Sequence, residues 1–281
     1  TRKESSAASD VYKRQAARDG LTLGSQSVLD AHGSLLRVDS YGQTIDSPNR
    51  AIVELSSSNG GLVLADGARI DLRHGTASGR SDLVALGTLD FKAPRIGGAT
   101  AGDIAIDASG TYDIQGAASI SVYGMQRYTD APLGSDPATS GKPYQVIDQA
   151  YLDGKHFESS AFISAALANT ALMQDKLAGL NNERYLDALH LRPGVEIASA
   201  TADGDLVVQG DIDLSGYRYA SLNPRTQRDP SVQGSGEVGG LVLRAGGDLT
   251  LYGSINDGFA PTPASPDAVS YTHLRAHETP E

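Results

Sequence analysis

Three aspartates recur in matching settings and carry the most chemical potential in the chain. Asp71, Asp113 and Asp213 each sit between two apolar residues of a short alternating run. Their carboxylates are therefore expected to point outward on equivalent edges. Stacked carboxylates of that kind hold Ca²⁺ or serve a polysaccharide lyase or hydrolase. Such enzymes also need basic residues in the same groove, and no clear Arg or Lys ladder accompanies these three; the G-G-x-G-x-D calcium nonapeptide is absent too. A solvated face is the expectation. His32, His74, His156 and His190 show neither H-x-x-x-H nor H-x-H spacing, so no metal site is expected of them. Gly234–Gly239 fits G-x-G-x-x-G, yet a dinucleotide site needs a strand before it and a helix after it. Here a polar loop precedes and a strand follows. No G-x-S-x-G elbow occurs, and the lack of cysteine closes thiolate catalysis and Cys-based metal binding. Tyr217 and Tyr219 flank Arg218, a trio that suits sugar rings or simply packs the base of a loop. The expectation is a chain that is not an enzyme, with no catalytic, cofactor-binding or metal residue.

The elements that would position these residues come from a repeated phrase. Gly60–Leu72 and Gly239–Leu251 are nearly the same, and Gly102–Ile114 and Gly204–Leu214 are variants between them. Each is a short alternating run, a glycine-bearing corner and a second run. One such unit cannot bury its own apolar face, so recurrence implies stacking of unit on unit, the mark of a β-solenoid. The fold expected is all-β: a parallel β-helix with one inserted α-helix and protruding loops.

Taken in order, coils are expected over 16–124, with Pro94–Gly102 turning between units. The rhythm breaks over 125–186, where Asp130–Gly141 is turn-rich. A helix is expected near 159–179, capped by Ser159 or Ser160 and ended by a left-handed Gly179. Phe162, Ile163, Ala166, Leu167, Thr170, Met173 and Leu177 would form its apolar stripe, laid against the side of the solenoid. Coils resume over 187–258, with Pro193-Gly194 as a corner and a protruding loop near 219–236. A proline-rich segment, 259–268, then leaves the rod.

The two ends read differently. Residues 5–15 match the translation of a transposase-type sequencing adapter, and 269–279 match the opposite adapter read outward. Residues 1–15 and 269–281 are therefore expected to be adapter-derived scars, and 16–268 an internal fragment of a longer protein. The composition sets 23 Lys and Arg against 34 Asp and Glu, a net charge of −11. That balance argues against nucleic acid and anionic membranes as partners. No apolar run approaches a membrane span.

Two further phrases, Tyr151–Ser160 and Ala188–Ala198 followed by Gly204–Leu214, together with the rod pattern and the missing cysteine, resemble filamentous haemagglutinin-type exoproteins of Gram-negative bacteria. The resemblance implies a long right-handed parallel β-helix, exported by two-partner secretion through an outer-membrane barrel. It also implies a secreted or cell-surface location and a role in adhesion, or as a stalk in contact-dependent inhibition, with a host-cell or bacterial receptor or glycan as partner. No functional residue carries over. The alternative is a β-helical polysaccharide-active lyase or hydrolase.

Overall fold

The computed structural model describes residues 12–32, 37–38, 44–45, 51–73, 85–134, 144–229, 231–232 and 234–257. It is mostly strand, with parallel sheets curled into a half-barrel and one long α-helix. The spine is a long sheet of six parallel strands in the order Tyr12–Ala17, Ile52–Ser57, Gly87–Ile96, Ala117–Tyr128, Leu189–Ala198 and Gly240–Arg244.

Alternation explains this sheet. Val53, Leu89, Ile120 and Leu189 stand opposite one another on successive strands, as do Leu55, Phe91, Val122 and Leu191. All eight are buried. Because side chains alternate with a period of two, the residues between them face the other way. Glu54, Asp90, Ser121 and His190 form one outward row, and Ser56, Lys92, Tyr123 and Arg192 the next. Burying each aliphatic side chain is worth roughly 1.5–3 kcal/mol, so the inward rows fix the register: a slip of one residue would turn them all to solvent.

Shorter parallel stacks close the other faces. Leu21–Leu23, Leu62–Leu64 and Ile106–Asp107 form one, and Val28–Asp30, Arg69–Asp71 and Asp113–Gln115 another. Beyond the helix they are succeeded by Tyr144–Ile147, Asp205–Gln209 and Leu249–Tyr252, and by Ile212–Asp213 with Ile255–Asn256. Among the described residues, only the long sheet runs through both halves.

Several expectations are corrected. Pro94 and Pro193 are not corners; the strands run through them. Pairing with Ile52–Ser57 stops at Lys92, and pairing with Gly240–Arg244 starts at Gly194. Each proline therefore lies where one neighbouring strand is missing, and its absent N–H costs no ladder bond. Met125–Tyr128 and Tyr144–Ile147, inside the supposed insertion, are regular strand. Tyr12–Ala17, which overlap the stretch read as adapter, form the outermost strand beside Ile52–Ser57, a pairing that does not bear on their origin. His74, residues 135–143 and everything from 258 onward lie outside the described residues.

The helix, α1, spans Gln149–Ala168, ten residues earlier than expected. Asp148 is its cap, accepting from Tyr151 N at 2.8 Å. Ser159 is instead wholly buried mid-helix. Asn169 breaks α1, and a short wide-turn helix follows over Ala171–Lys176. One face of α1 is buried, and the other, with Phe157, is exposed. Phe162, Ile163 and Ala166 are fully buried in the main core with Leu89 and Phe91, so the helix plugs the half-barrel. The plug needs room: a Cβ on Gly124, at an inward position, would come within 2.3 Å of the Phe162 ring. Gly179 is not left-handed. It is small because a Cβ there would come within 2.1 Å of Gly110 O.

Candidate functional site

The structure separates the three aspartates. Ile70 stands opposite Ile114, which puts Asp113 beside Arg69 and Asp71 beside Gln115 and Asp30. Asp213 lies in a different stack, opposite Asn256. Each is also answered locally. Asp71 pairs with Arg73 at 2.5 Å, a hydrogen-bonded contact that holds its carboxyl below the usual range. Asp113 pairs with Arg184 and, at 3.8 Å, with Arg69. Asp213 accepts from Ser215 N at 2.9 Å and Asn256 Nδ2 at 3.1 Å. Asp71 and Asp113 thus have arginine partners of their own, which is not the Arg or Lys ladder whose absence was expected. Among the described residues no cluster of His, Asp or Glu is arranged to hold a metal. Gly234–Gly239 leads straight into the Gly240–Arg244 strand, with no helix after it.

The residues that do converge are Tyr217, Arg218 and Tyr219 with one face of α1. Leu152, Lys155, His156 and Ser159 fall at helical spacing and share that face. His156 lies flat on Tyr217, ring centroids 4.3 Å apart and planes 3° from parallel. Its Nδ1 is 3.1 Å from the Tyr219 hydroxyl. Burial, with Arg228 nearby, pulls the His156 pKa below its ordinary value. The Tyr217 hydroxyl donates to Asp153 at 2.6 Å and accepts from Gln149 Nε2 at 2.9 Å. Tyr219 is buried, which pushes its phenol up to about 12. The tyrosines are therefore packed in place by α1.

Between α1 and the strand Gly240–Arg244 these residues enclose a cleft of about 430 Å³. Leu152, Val195, Leu214, Val238 and Leu241 supply apolar walls. Lys155 reaches it as a cation already neutralised: its ammonium is 3.1 Å from Asp130 and 3.7 Å from Glu158, over the rings of Tyr128 at 4.1 Å and Tyr151 at 4.9 Å. Arg218 is different. Its Nε is buried with no hydrogen-bond partner among the described residues.

Two supports hold this region. Arg95, 8% exposed, donates to Gly124 O at 3.0 Å, Ser159 Oγ at 3.2 Å, Gly194 O at 3.3 Å and also Ala99 O. Its guanidinium lies 4.0 Å from the Phe162 ring centroid. Burial draws its pKa down to about 10. The second support ties down the loop expected to protrude over 219–236. Tyr219 and Glu237 exchange backbone hydrogen bonds at its neck, 2.9 Å each way. The Glu237 carboxylate then accepts from His190 Nδ1 at 2.7 Å and Arg192 Nε at 2.9 Å on the outward face of the long sheet. Burial raises the Glu237 pKa, but those bonds outweigh it and hold the group below its ordinary value.

Sequence reasoning missed Arg95, Lys155 and Gln149. Arg95 had a signal: it shares parity with Leu89, Phe91 and Ala93, an inward position no lone cation occupies without partners. No family model, curated protein or solved structure matches this chain.

Proposed function

We propose that the chain is a segment of a right-handed parallel β-helix that forms the shaft of a secreted, cell-surface exoprotein of the filamentous haemagglutinin type. In this reading it acts in adhesion or as the stalk of a contact-dependent inhibition system, and an outer-membrane transporter exports it. The observation that carries the reading is the unbroken inward row Val53–Leu89–Ile120–Leu189, in register across four parallel strands. A stack of that kind extends by repetition, because each layer presents the next with the same apolar row and the same free ladder groups. Long-read sequencing of the source DNA tests this. The frame should continue into many more coils beside a gene for an outer-membrane barrel; a frame that closes within a few hundred codons, with no such neighbour, overturns the reading.

One observation favours the runner-up, a polysaccharide-active β-helix. Glu54 and Asp90 are neighbours on the outward face. Glu54 is ion-paired with Lys92 at 2.7 Å and Arg14 at 2.9 Å, whereas burial raises the Asp90 carboxyl. A carboxyl held protonated by burial is what a general acid in glycoside cleavage uses. Release of reducing ends from acidic polysaccharides, lost in Asp90→Asn, would establish it; no release from any would dismiss it.

A further inference from the structure

We propose that Lys155 and Asp130 join in an intramolecular isopeptide bond, with Glu158 as the proton carrier. The inference does not depend on the shaft reading. Asp130 follows just after the strand Ala117–Tyr128, and Lys155 reaches across to it from α1. The ammonium is 3.1 Å from Asp130 Oδ2, so the carboxyl carbon sits one C–O bond beyond that contact. It is also 3.7 Å from Glu158 Oε1. The rings of Tyr128 and Tyr151 shield it at 4.1 and 4.9 Å, and only 10% of the lysine side chain is exposed. Each carboxylate also receives a phenol. Tyr151 donates to Asp130 Oδ1 at 2.7 Å, and Tyr128 to Glu158 Oε2 at 2.7 Å. Burial pushes both phenols up, so they remain donors.

These are the parts that amide formation needs. A lysine attacks only once it has lost a proton, and a shielded pocket makes that loss easier. Burial raises the Asp130 carboxyl, but the bonds from Tyr151 and Lys155 outweigh it and hold the group low. The pair therefore starts as ammonium and carboxylate. Glu158 Oε1 takes one proton from the ammonium. The freed amine attacks Asp130 Cγ, and the Tyr151 hydroxyl steadies the charge that gathers on Oδ1. An N–C bond forms and the Cγ–Oδ2 bond breaks. Oδ2 leaves as water, carrying the proton held by Glu158 and a second one shed by the nitrogen. One positive and one negative charge become a neutral amide and water, with no other reagent. Two effects favour the amide over the ion pair. Charges held beside two rings forfeit solvation that an amide does not need. Well-oriented partners also react at an effective molarity of roughly 10⁵–10⁸ M. The Asp130 side chain is 62% exposed, so the water has a way out.

The test is the intact mass of the full folded chain. It should be lighter than its sequence by one water, and tandem mass spectrometry of a digest should find the peptides of Asp130 and Lys155 joined. Lys155→Arg keeps the cation but presents a guanidinium that does not attack, and should restore the full mass. Glu158→Gln keeps both reactants and should convert roughly a hundredfold more slowly, the low end of what a positioned acid–base group contributes. An unsubstituted chain at full mass overturns the proposal, whether or not any variant folds. So does a water loss traced to a succinimide elsewhere, a loss that persists in Lys155→Arg, or conversion at an unchanged rate in Glu158→Gln.

Discussion

On either side of α1 the molecule fills the inside of the same curled spine in two ways. In the first half, aliphatic rows from three strand stacks meet: Leu62 and Leu64 from one, Ile70 and Leu72 from another, Leu89 and Phe91 from the long sheet. Where the two halves meet, the long sheet has a small inward pair, Gly124 opposite Pro193, and the Phe162 ring of α1 takes the space over Gly124. The helix serves both halves. Phe162, Ile163 and Ala166 join the first core, while Leu152 packs with Val195, Ile197, Leu206 and Val208 in a second. The chain returning from α1 also finishes the first half. Ala108 N donates to Lys176 O at 2.7 Å, Gly179 N to Ala108 O at 2.9 Å, and Ile114 N to the Tyr185 hydroxyl at 3.1 Å. Strand edges that end at Ile106–Asp107 and Asp113–Gln115 are thereby satisfied without another strand, a way of closing an edge inside the stack. The lesson is that the long sheet alone sets the register, and the interior is exchangeable.

The comparison can be broken most forcefully at its junction. Phe162→Ala should cost about 3–5 kcal/mol in urea unfolding, because the cavity opens where both cores meet. Hydrogen exchange should rise first in α1 and 189–209 and last in 52–72; uniform exchange would show the halves to be one unit. Arg95→Met should cost about 3 kcal/mol, since it strands the carbonyls of Gly124, Ala99 and Gly194 at about 1–3 kcal/mol each, partly offset by packing. A change within experimental error would mean those carbonyls find other donors. Gly179→Ala should cost about 1–3 kcal/mol and loosen the edge closure, seen as faster exchange at Ala108 and Ile114 with 189–209 unmoved.

The smallest effects concern pH. Glu237 has a lowered pKa, so its tether stabilises above the ordinary glutamate value and is lost as pH falls through the lowered one. Asp90 has the opposite sign: its raised pKa makes its ionised form a cost at neutral pH that fades on acidification. Asp90→Asn should therefore raise the neutral-pH midpoint slightly, while Glu237→Gln should lower it and flatten the acid limb. Loop proteolysis at 225–228 reads the second; no change in cutting would detach the tether from the carboxylate.

The strand rows were legible because alternation is local: Val53/Leu55, Leu89/Phe91, Ile120/Val122 and Leu189/Leu191 need only their own parity. The phase between layers was not. Corner lengths differ, so Ile70 meets Ile114 and the aspartates that looked equivalent part company. The repeated phrase itself is a corner grammar: Leu62–Leu64 belongs to a short stack, but Gly240–Arg244 to the long sheet. The start of α1 was hidden because Lys155, His156 and Ser159 look like a solvent face, although partners distant in sequence bury or half-bury them. The cleft needed Tyr217 and His156 brought together across 61 residues of chain, which spacing alone does not report.

Arg95 carries one more consequence. From its own strand it reaches Gly124 O on the next and Gly194 O on the one after. Tension along the stacking axis would part a parallel sheet layer from layer, one row of hydrogen bonds at a time. A side chain that spans three successive layers works as a rivet: separation at either seam must also pull the guanidinium from its carbonyls and from the Phe162 ring. The plugged half should thus resist delamination at this point by shared load, whereas the aliphatic rows beside it slide apart contact by contact.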